Sequence, residues 1–153
     1  YGIEKFFKKA KEVQIGGVIL PDLTVEESKI YRVLAKKYGI DIIFLVAPTS
    51  TPERVKKIVR ASTGFIYYVS ITGITGAELK LDKKFREHID FVRRFGKPVC
   101  VGFGVSNPEE ASYVAHFADG VIVGSAIVKK FHEKPEEAFE FIKSLREAIN
   151  AVV

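Results

Sequence analysis

Methionine and tryptophan are absent from the 153-residue chain, and cysteine occurs once. A single cysteine excludes an intrachain disulfide. Cys100 lies in the apolar run Val99-Cys100-Val101, where a small buried hydrophobe is expected rather than a nucleophile or a metal ligand. No apolar stretch approaches the ~18 residues of a membrane span and no signal-peptide pattern is present, so a soluble, cytoplasmic protein that contacts no membrane is expected. The missing methionine carries a further implication, because Tyr1 is not a residue expected after removal of an initiator. The chain therefore reads as part of something longer. Abundant Lys and Glu, with no Met or Trp, suit a thermophile. Charge of one sign is also never concentrated: 24 Lys and Arg against 19 Asp and Glu give a net +5 without a like-charge run longer than a helical turn. That pattern excludes an extended nucleic-acid face and leaves a mildly basic surface able to attract an anionic ligand.

What the chain does contain is a repeated alternation. Five short, near-continuously apolar runs, at 17–20, 41–46, 65–70, 99–103 and 121–123, are each followed by a turn with Gly, Pro or Ser and then by a stretch of helical period. Continuous apolar strands joined by helices predict a parallel sheet covered on both faces, and hence an α/β fold. A stripe of Ile3, Phe6, Phe7, Ala10 and Val13 predicts an opening helix. A last helix is predicted over about 135–150, burying Phe139, Ile142, Leu145 and Ile149. Thr24 with Glu27, Thr51 with Pro52, and Asn107-Pro108-Glu109-Glu110 mark helix starts, and Gly39 and Gly96 mark stops. At 47% hydrophobic content the whole of 1–153 is expected to form one domain. Five βα units fit an open flavodoxin-type sheet or part of a (β/α)8 TIM barrel. Since a full barrel takes about 200 residues or more, the second option implies strands beyond those present.

In both architectures ligands bind at the C-terminal strand ends. Three of these ends are rich in glycine: Ser70-Ile71-Thr72-Gly73-Ile74-Thr75-Gly76, Gly102-Phe103-Gly104-Val105-Ser106, and Gly124-Ser125 leading into Ala126-Ile127-Val128. Glycine admits close approach of backbone N–H groups to an anion, and a helix starting at Ser125 would aim further N–H groups and a partial positive charge at it. Glycines of this kind can also merely turn the chain, but two successive glycine-rich exits favour a phosphate cradle. Neither a nucleoside-triphosphate loop nor the third glycine of a dinucleotide site is present. Acid–base groups are sparse. Asp22 follows the first strand and Glu78 lies in the loop after the third; each equally fits a solvated turn. His88, His116 and His132 have no shared metal spacing and receive no role, so no metal site is expected. Tyr67 and Tyr68 alternate faces, so one points inward, toward a substrate or toward core filling.

Taken together, Gly17-Val18-Ile19-Leu20-Pro21-Asp22-Leu23, Phe44-Leu45-Val46-Ala47-Pro48-Thr49-Ser50-Thr51, Tyr68-Val69-Ser70-Ile71-Thr72-Gly73-Ile74-Thr75-Gly76-Ala77, Val101-Gly102-Phe103-Gly104-Val105 and Asp119-Gly120-Val121-Ile122-Val123-Gly124-Ser125-Ala126 resemble, in order, strands four to eight of the tryptophan synthase alpha chain family. The resemblance implies an incomplete TIM barrel of about five βα units. The implied activity is that of a lyase of tryptophan biosynthesis, which cleaves indole-3-glycerol phosphate to indole and glyceraldehyde 3-phosphate by a retro-aldol reaction without a cofactor. It assigns Gly76, Phe103, Gly104, Gly124 and Ser125 to the phosphate, Tyr67 to the indole and glycerol portion, and Thr75 to a loop that orders on closure. The family's catalytic Glu and Asp have no counterpart here and would precede Tyr1, so no catalytic residue is assigned and the chain alone is expected to be inactive. A beta chain, in an α2β2 heterotetramer, is the implied partner. Competing readings are another phosphate-binding barrel enzyme and a noncatalytic half-barrel that binds a phosphorylated ligand or a partner.

Overall fold

The computed structural model describes residues 1–69, 83–102 and 104–152. It opens with helix α1 (Ile3–Glu12), followed by β1 (Gly17–Ile19), α2 (Lys29–Tyr38), β2 (Asp41–Ile43), β3 (Leu45–Val46) and α3 (Pro52–Ala61). Next come β4 (Ile66–Val69), α4 (Lys83–Arg93), β5 (Val99–Gly102), α5 (Pro108–Ala115), β6 (Gly120–Ile122), α6 (Ser125–Glu133) and α7 (Pro135–Asn150). The strand predicted over 41–46 is divided at Phe44, and the reason lies in its hydrogen bonds. Ile42 N–H donates to Thr63 Oγ1 and Phe44 N–H to Ser62 Oγ, so hydroxyls from the end of α3 occupy one edge of the run. Beyond that point Phe44 O accepts from Tyr67 N–H, and β4 takes over the edge.

Every strand pair among the described residues is parallel and sequential. Gly17 lies opposite Asp41, Leu45 opposite Tyr67, Tyr67 opposite Cys100, and Cys100 opposite Gly120. The pairings run β1-β2 and then β3-β4-β5-β6, with the 41–46 run common to both ladders. A flavodoxin-type sheet places its second strand outside its first, so this order excludes it and matches the wall of a barrel.

Burial is heavier on one face of the strands, although Ile43 on the other face is also buried. Ile42, Phe44, Val46, Ile66, Tyr68, Val99 and Val101 are buried against the helices, together with Phe7, Val55, Ile58, Val59, Phe85, Ile89, Val92, Val114 and Leu145. Each such aliphatic side chain contributes about 1.5–3 kcal/mol by leaving water. The opposite face carries Gly17, Ile19, Leu45, Tyr67, Val69, Cys100 and Gly120 and is only partly covered. The expectation of two equally covered faces is thus met on the helix side alone. Cys100 is half-buried, not sealed in the core, because its thiol lies over Gly120 on that partly covered face.

Two helix-start signals act as predicted. Thr51 Oγ1 accepts from Arg54 N–H and Asn107 Oδ1 from Glu110 N–H, each with proline in the first turn. The Glu110 carboxylate also accepts from Ser106 N–H, one residue before the N-cap. Gly39 and Gly96 end their helices with φ of 67° and 75°. The Thr24–Glu27 pair behaves differently: Thr24 Oγ1 accepts from Glu27 N–H at 3.3 Å and donates to the Glu27 carboxylate at 2.6 Å, yet α2 begins only at Lys29. The pair closes a preceding turn, which buried Ser28 seals by donating to Val25 O. The last helix has the predicted bounds but buries Ala138 and Leu145, while Phe139 is 72% exposed. Phe139 instead meets Phe131 edge to face at 5.5 Å on the outside of α6. In α1, Phe7 and Ala10 are buried, and Phe6 and Val13 remain exposed.

Candidate phosphate-binding rim

The register of the last two strands brings two glycine-rich exits side by side. Gly102 is paired with Ile122, so Gly104 and Gly124 each follow their last paired residue at the same spacing and leave the same edge of the sheet. Gly104 has φ of 82°, a left-handed conformation in which a side chain would strain the turn. Gly124 forms the N-cap of α6 and Ser125 its first residue, so the helix starts where the sequence predicts. No side chain caps this N-terminus and its first turn holds no acidic residue. Elsewhere on the rim, α3 and α5 have side-chain caps, and α2 is preceded by a hydrogen-bonded turn. The first N–H groups of α6 therefore present donors and the positive end of the helix dipole at this edge. A Cβ built on Gly124 meets nothing within 4 Å among the described residues. Thr75, Gly76 and Phe103, the remaining residues predicted for this site, lie outside the described residues.

On the inner face, Tyr67 points away from the helices and its phenol lies over Gly102. A Cβ at Gly102 would overlap that ring, with Cε1 at 2.8 Å, so glycine is the residue that lets the ring lie flat there. Burial holds the Tyr67 hydroxyl above its ordinary pKa, and it stays protonated as a potential hydrogen-bond donor. Tyr68, with the opposite orientation, is wholly buried against α4. Of the two strand tyrosines, Tyr67 is the one facing the barrel interior.

Candidate acid–base groups are scattered. Asp22 is exposed in the turn after β1, and Glu78 lies outside the described residues. His116 bonds through Nδ1 to the Ser112 carbonyl within its own helix, and His132 stands in the last turn of α6. His88, which the sequence leaves without a role, has one: its Nδ1 is 2.7 Å from the Tyr68 hydroxyl. Its partners are 20 residues away on β4 and in the loop after β3, so no local motif could have disclosed them. Among the described residues no group of three His, Cys, Asp or Glu could hold a metal ion, and no helix is long and apolar enough to cross a membrane. A feature the sequence did not disclose is a cavity lined by Pro21, Leu23, Val25, Phe44, Leu45 and Ile58, where the turn after β1 faces α3. Glu26 and Arg54 tie the two elements together beside it, with both carboxylate oxygens within 2.7 Å of Nη1.

Comparison with known proteins places this geometry in a family. The model of the tryptophan synthase alpha chain family matches residues 1–152. The tryptophan synthase alpha chain of Methanocaldococcus jannaschii is 52% identical over 129 residues, covering 84% of this chain and 46% of that protein. That of Geobacter sulfurreducens is 43% identical, covering 97% and 59%. Among solved structures, Mycobacterium tuberculosis tryptophan synthase superposes with a TM-score of 0.89 at 36% identity over 97% of this chain and 57% of that one. A chain of the Pyrococcus furiosus tryptophan synthase α2β2 complex gives 0.83 at 38% identity, over 99% and 62%. The chain thus spans about half to three fifths of the length of the relatives it matches, and the six strand segments among its described residues are part of a TIM barrel wall.

Proposed function

Because the chain belongs to the tryptophan synthase alpha chain family, we propose that it forms the phosphate-binding part of a lyase of tryptophan biosynthesis that cleaves indole-3-glycerol phosphate into indole and glyceraldehyde 3-phosphate. The observation that carries this reading is the uncapped start of α6 beside Gly104, at the ends of two paired strands. Backbone N–H groups at Gly104, Gly124 and Ser125 would hold the phosphate, and Tyr67 would flank the indole and glycerol portion from the inner face. Thr75, Gly76 and Phe103 complete the proposed set. A retro-aldol cleavage needs one group to take the glycerol hydroxyl proton and another to stabilise the protonated indole ring. In this reading a Glu and an Asp of the family's preceding strands supply them, so chemistry and phosphate binding lie on different stretches of chain. No metal or organic cofactor enters the scheme. We assign a tryptophan synthase beta chain as partner, since a relative's structure is of an α2β2 complex, and the cytoplasm as compartment.

The test separates binding from cleavage. Glycerol phosphate is titrated against this chain and against Gly124→Trp, whose Cβ would meet no described atom within 4 Å, with circular dichroism checking that the variant folds. Loss of binding in the variant is expected; unchanged affinity would put the cradle elsewhere. Free indole is then assayed with this chain and with one extended upstream by the family's preceding strands. The extended chain should release indole, and the 153-residue chain should do so little faster than the uncatalysed reaction. No release by the extended chain would remove the lyase reading and leave a noncatalytic binding module.

A further inference from the structure

Behind the sheet, on the side away from the proposed substrate site, His88 joins three elements. It lies in the second turn of α4, its Nδ1 is 2.7 Å from the hydroxyl of wholly buried Tyr68 on β4, and the backbone of Ser50, in the loop after β3, faces its ring. The Tyr68 hydroxyl is wholly buried and has no other acceptor among the described residues, so its O–H donates to Nδ1 and the ring proton sits on Nε2; the Ser50 backbone facing the ring eases its charging. Ser50 belongs to a turn already tied to itself, with Ser50 N–H on Ala47 O at 2.8 Å and Ala47 N–H on Ser50 Oγ at 3.1 Å. That turn leads directly into the Thr51 cap of α3.

We propose that His88 is a protonation-sensitive clasp: as a neutral imidazole it fastens the turn after β3 to the end of β4 and to α4, and a proton on Nδ1 undoes the bond to Tyr68. Balance of donors requires this outcome. The imidazolium has two N–H groups and no acceptor, so the phenol hydrogen must find another partner, and the Tyr68 hydroxyl has no second one among the described residues. A buried hydroxyl left without an acceptor is costly, so the rim side of β4 shifts or the turn lets go.

The groups facing the ring are Tyr68 from β4, the Ser50 backbone from the turn, and Phe91, stacked on it at 6.2 Å, from its own helix. Lys84 and Glu87 on that helix are exposed. Among the described residues no carboxylate or cation contributes to its titration; burial lowers its pKa and the Ser50 backbone partly offsets that. The clasp is therefore closed at neutral pH and opens on acidification. It concerns the scaffold, not any substrate, and stands independently of the lyase reading.

Imidazole nitrogen–proton correlation spectra of the 15N-labelled chain test it, with the three histidines assigned through His116→Gln and His132→Gln. The expected result is an Nε2–H tautomer for His88 at neutral pH and a titration midpoint below the ordinary ~6.5. The amide signals of Ser50, Thr51 and Tyr68 should follow the same midpoint. In Tyr68→Phe, which keeps the ring and loses the donor, His88 should bind its proton on the order of threefold to tenfold more tightly. His88→Gln should abolish the step in the three amide signals; should it fail to fold, Tyr68→Phe still decides. An Nδ1–H tautomer, amide signals indifferent to the His88 midpoint, or an unchanged midpoint in Tyr68→Phe would each overturn the clasp.

Discussion

His88 and Tyr68 show how far a residue's chemistry depends on neighbours remote in sequence. Burial makes the imidazole harder to charge in the folded chain than in the unfolded one. Its folded pKa is depressed, so the unfolded chain takes up the proton first as pH falls below about 6.5, and stability is lost from there downward. Between pH 7 and 5 the wild-type Tm should therefore fall more than that of His88→Gln, measured by circular dichroism at both pH values. Parallel declines would leave the imidazole without a part in acid sensitivity. Gly104 makes a different point. At φ of 82° any side chain is strained, and Gly104→Ala is expected to lose about 1 kcal/mol or more of stability on top of any effect on phosphate. Chemical denaturation should detect that loss, whereas Gly124→Ala, with φ of −114° and no described atom within 4 Å of its Cβ, should show almost none.

Helix boundaries follow local rules where the cap is the first residue in position to act. Thr51 and Asn107 each accept an N–H from the first turn and are followed by proline, so Thr51→Ala should cost about 1 kcal/mol in urea unfolding. The same device at Thr24 closes a turn instead, because Ser28 donates to Val25 O and α2 starts beyond it. At the other end of the chain, Phe139 repeats the helical period of its buried neighbours yet faces outward beside Phe131, while Ala138 takes the core position. Ile66→Ala, on the buried face of β4, should cost roughly 2–4 kcal/mol, and Phe139→Ser less than about 0.5 kcal/mol in this chain. Equal losses would mean that the burial seen here is not that of the folded chain in solution.

Across the whole molecule, one face of the parallel sheet is sealed by helices and the other lies partly open. The outer edges of β1 and β6 are unpaired among the described residues. Ile19 on the inner face is 39% exposed and Val128 on α6 is 68% exposed. Unpaired edges and open apolar surface favour association, and we expect further polypeptide to cover them, whether more chain or a second copy. Hydrogen exchange of this chain should find the amides of Gly17–Ile19 and Gly120–Ile122 less protected than those of β4 and β5. Extending the chain by the family's preceding strands should slow exchange at both edges. Uniform protection in the 153-residue chain would show that its edges are already covered.

The five apolar runs, the start of α6 and the glycine-rich exits at Gly104 and Gly124 were legible in the sequence, because each is written in local signals: apolar runs, caps and glycines at fixed offsets; periodicity left the strand order open, and only the family resemblance supplied it. Five ordered motifs also carried the family, which the match over residues 1–152 bears out. What the sequence could not disclose depends on contacts between distant residues. The break at Phe44 comes from hydroxyls of Ser62 and Thr63; alternation alone left Tyr67 and Tyr68 open, and the resemblance's choice of Tyr67 agrees with the side the helices leave unburied. The place of His88 required β4, α4 and the turn after β3 to meet. A linear pattern records the period of a chain, and only packing decides which side of that period is enclosed.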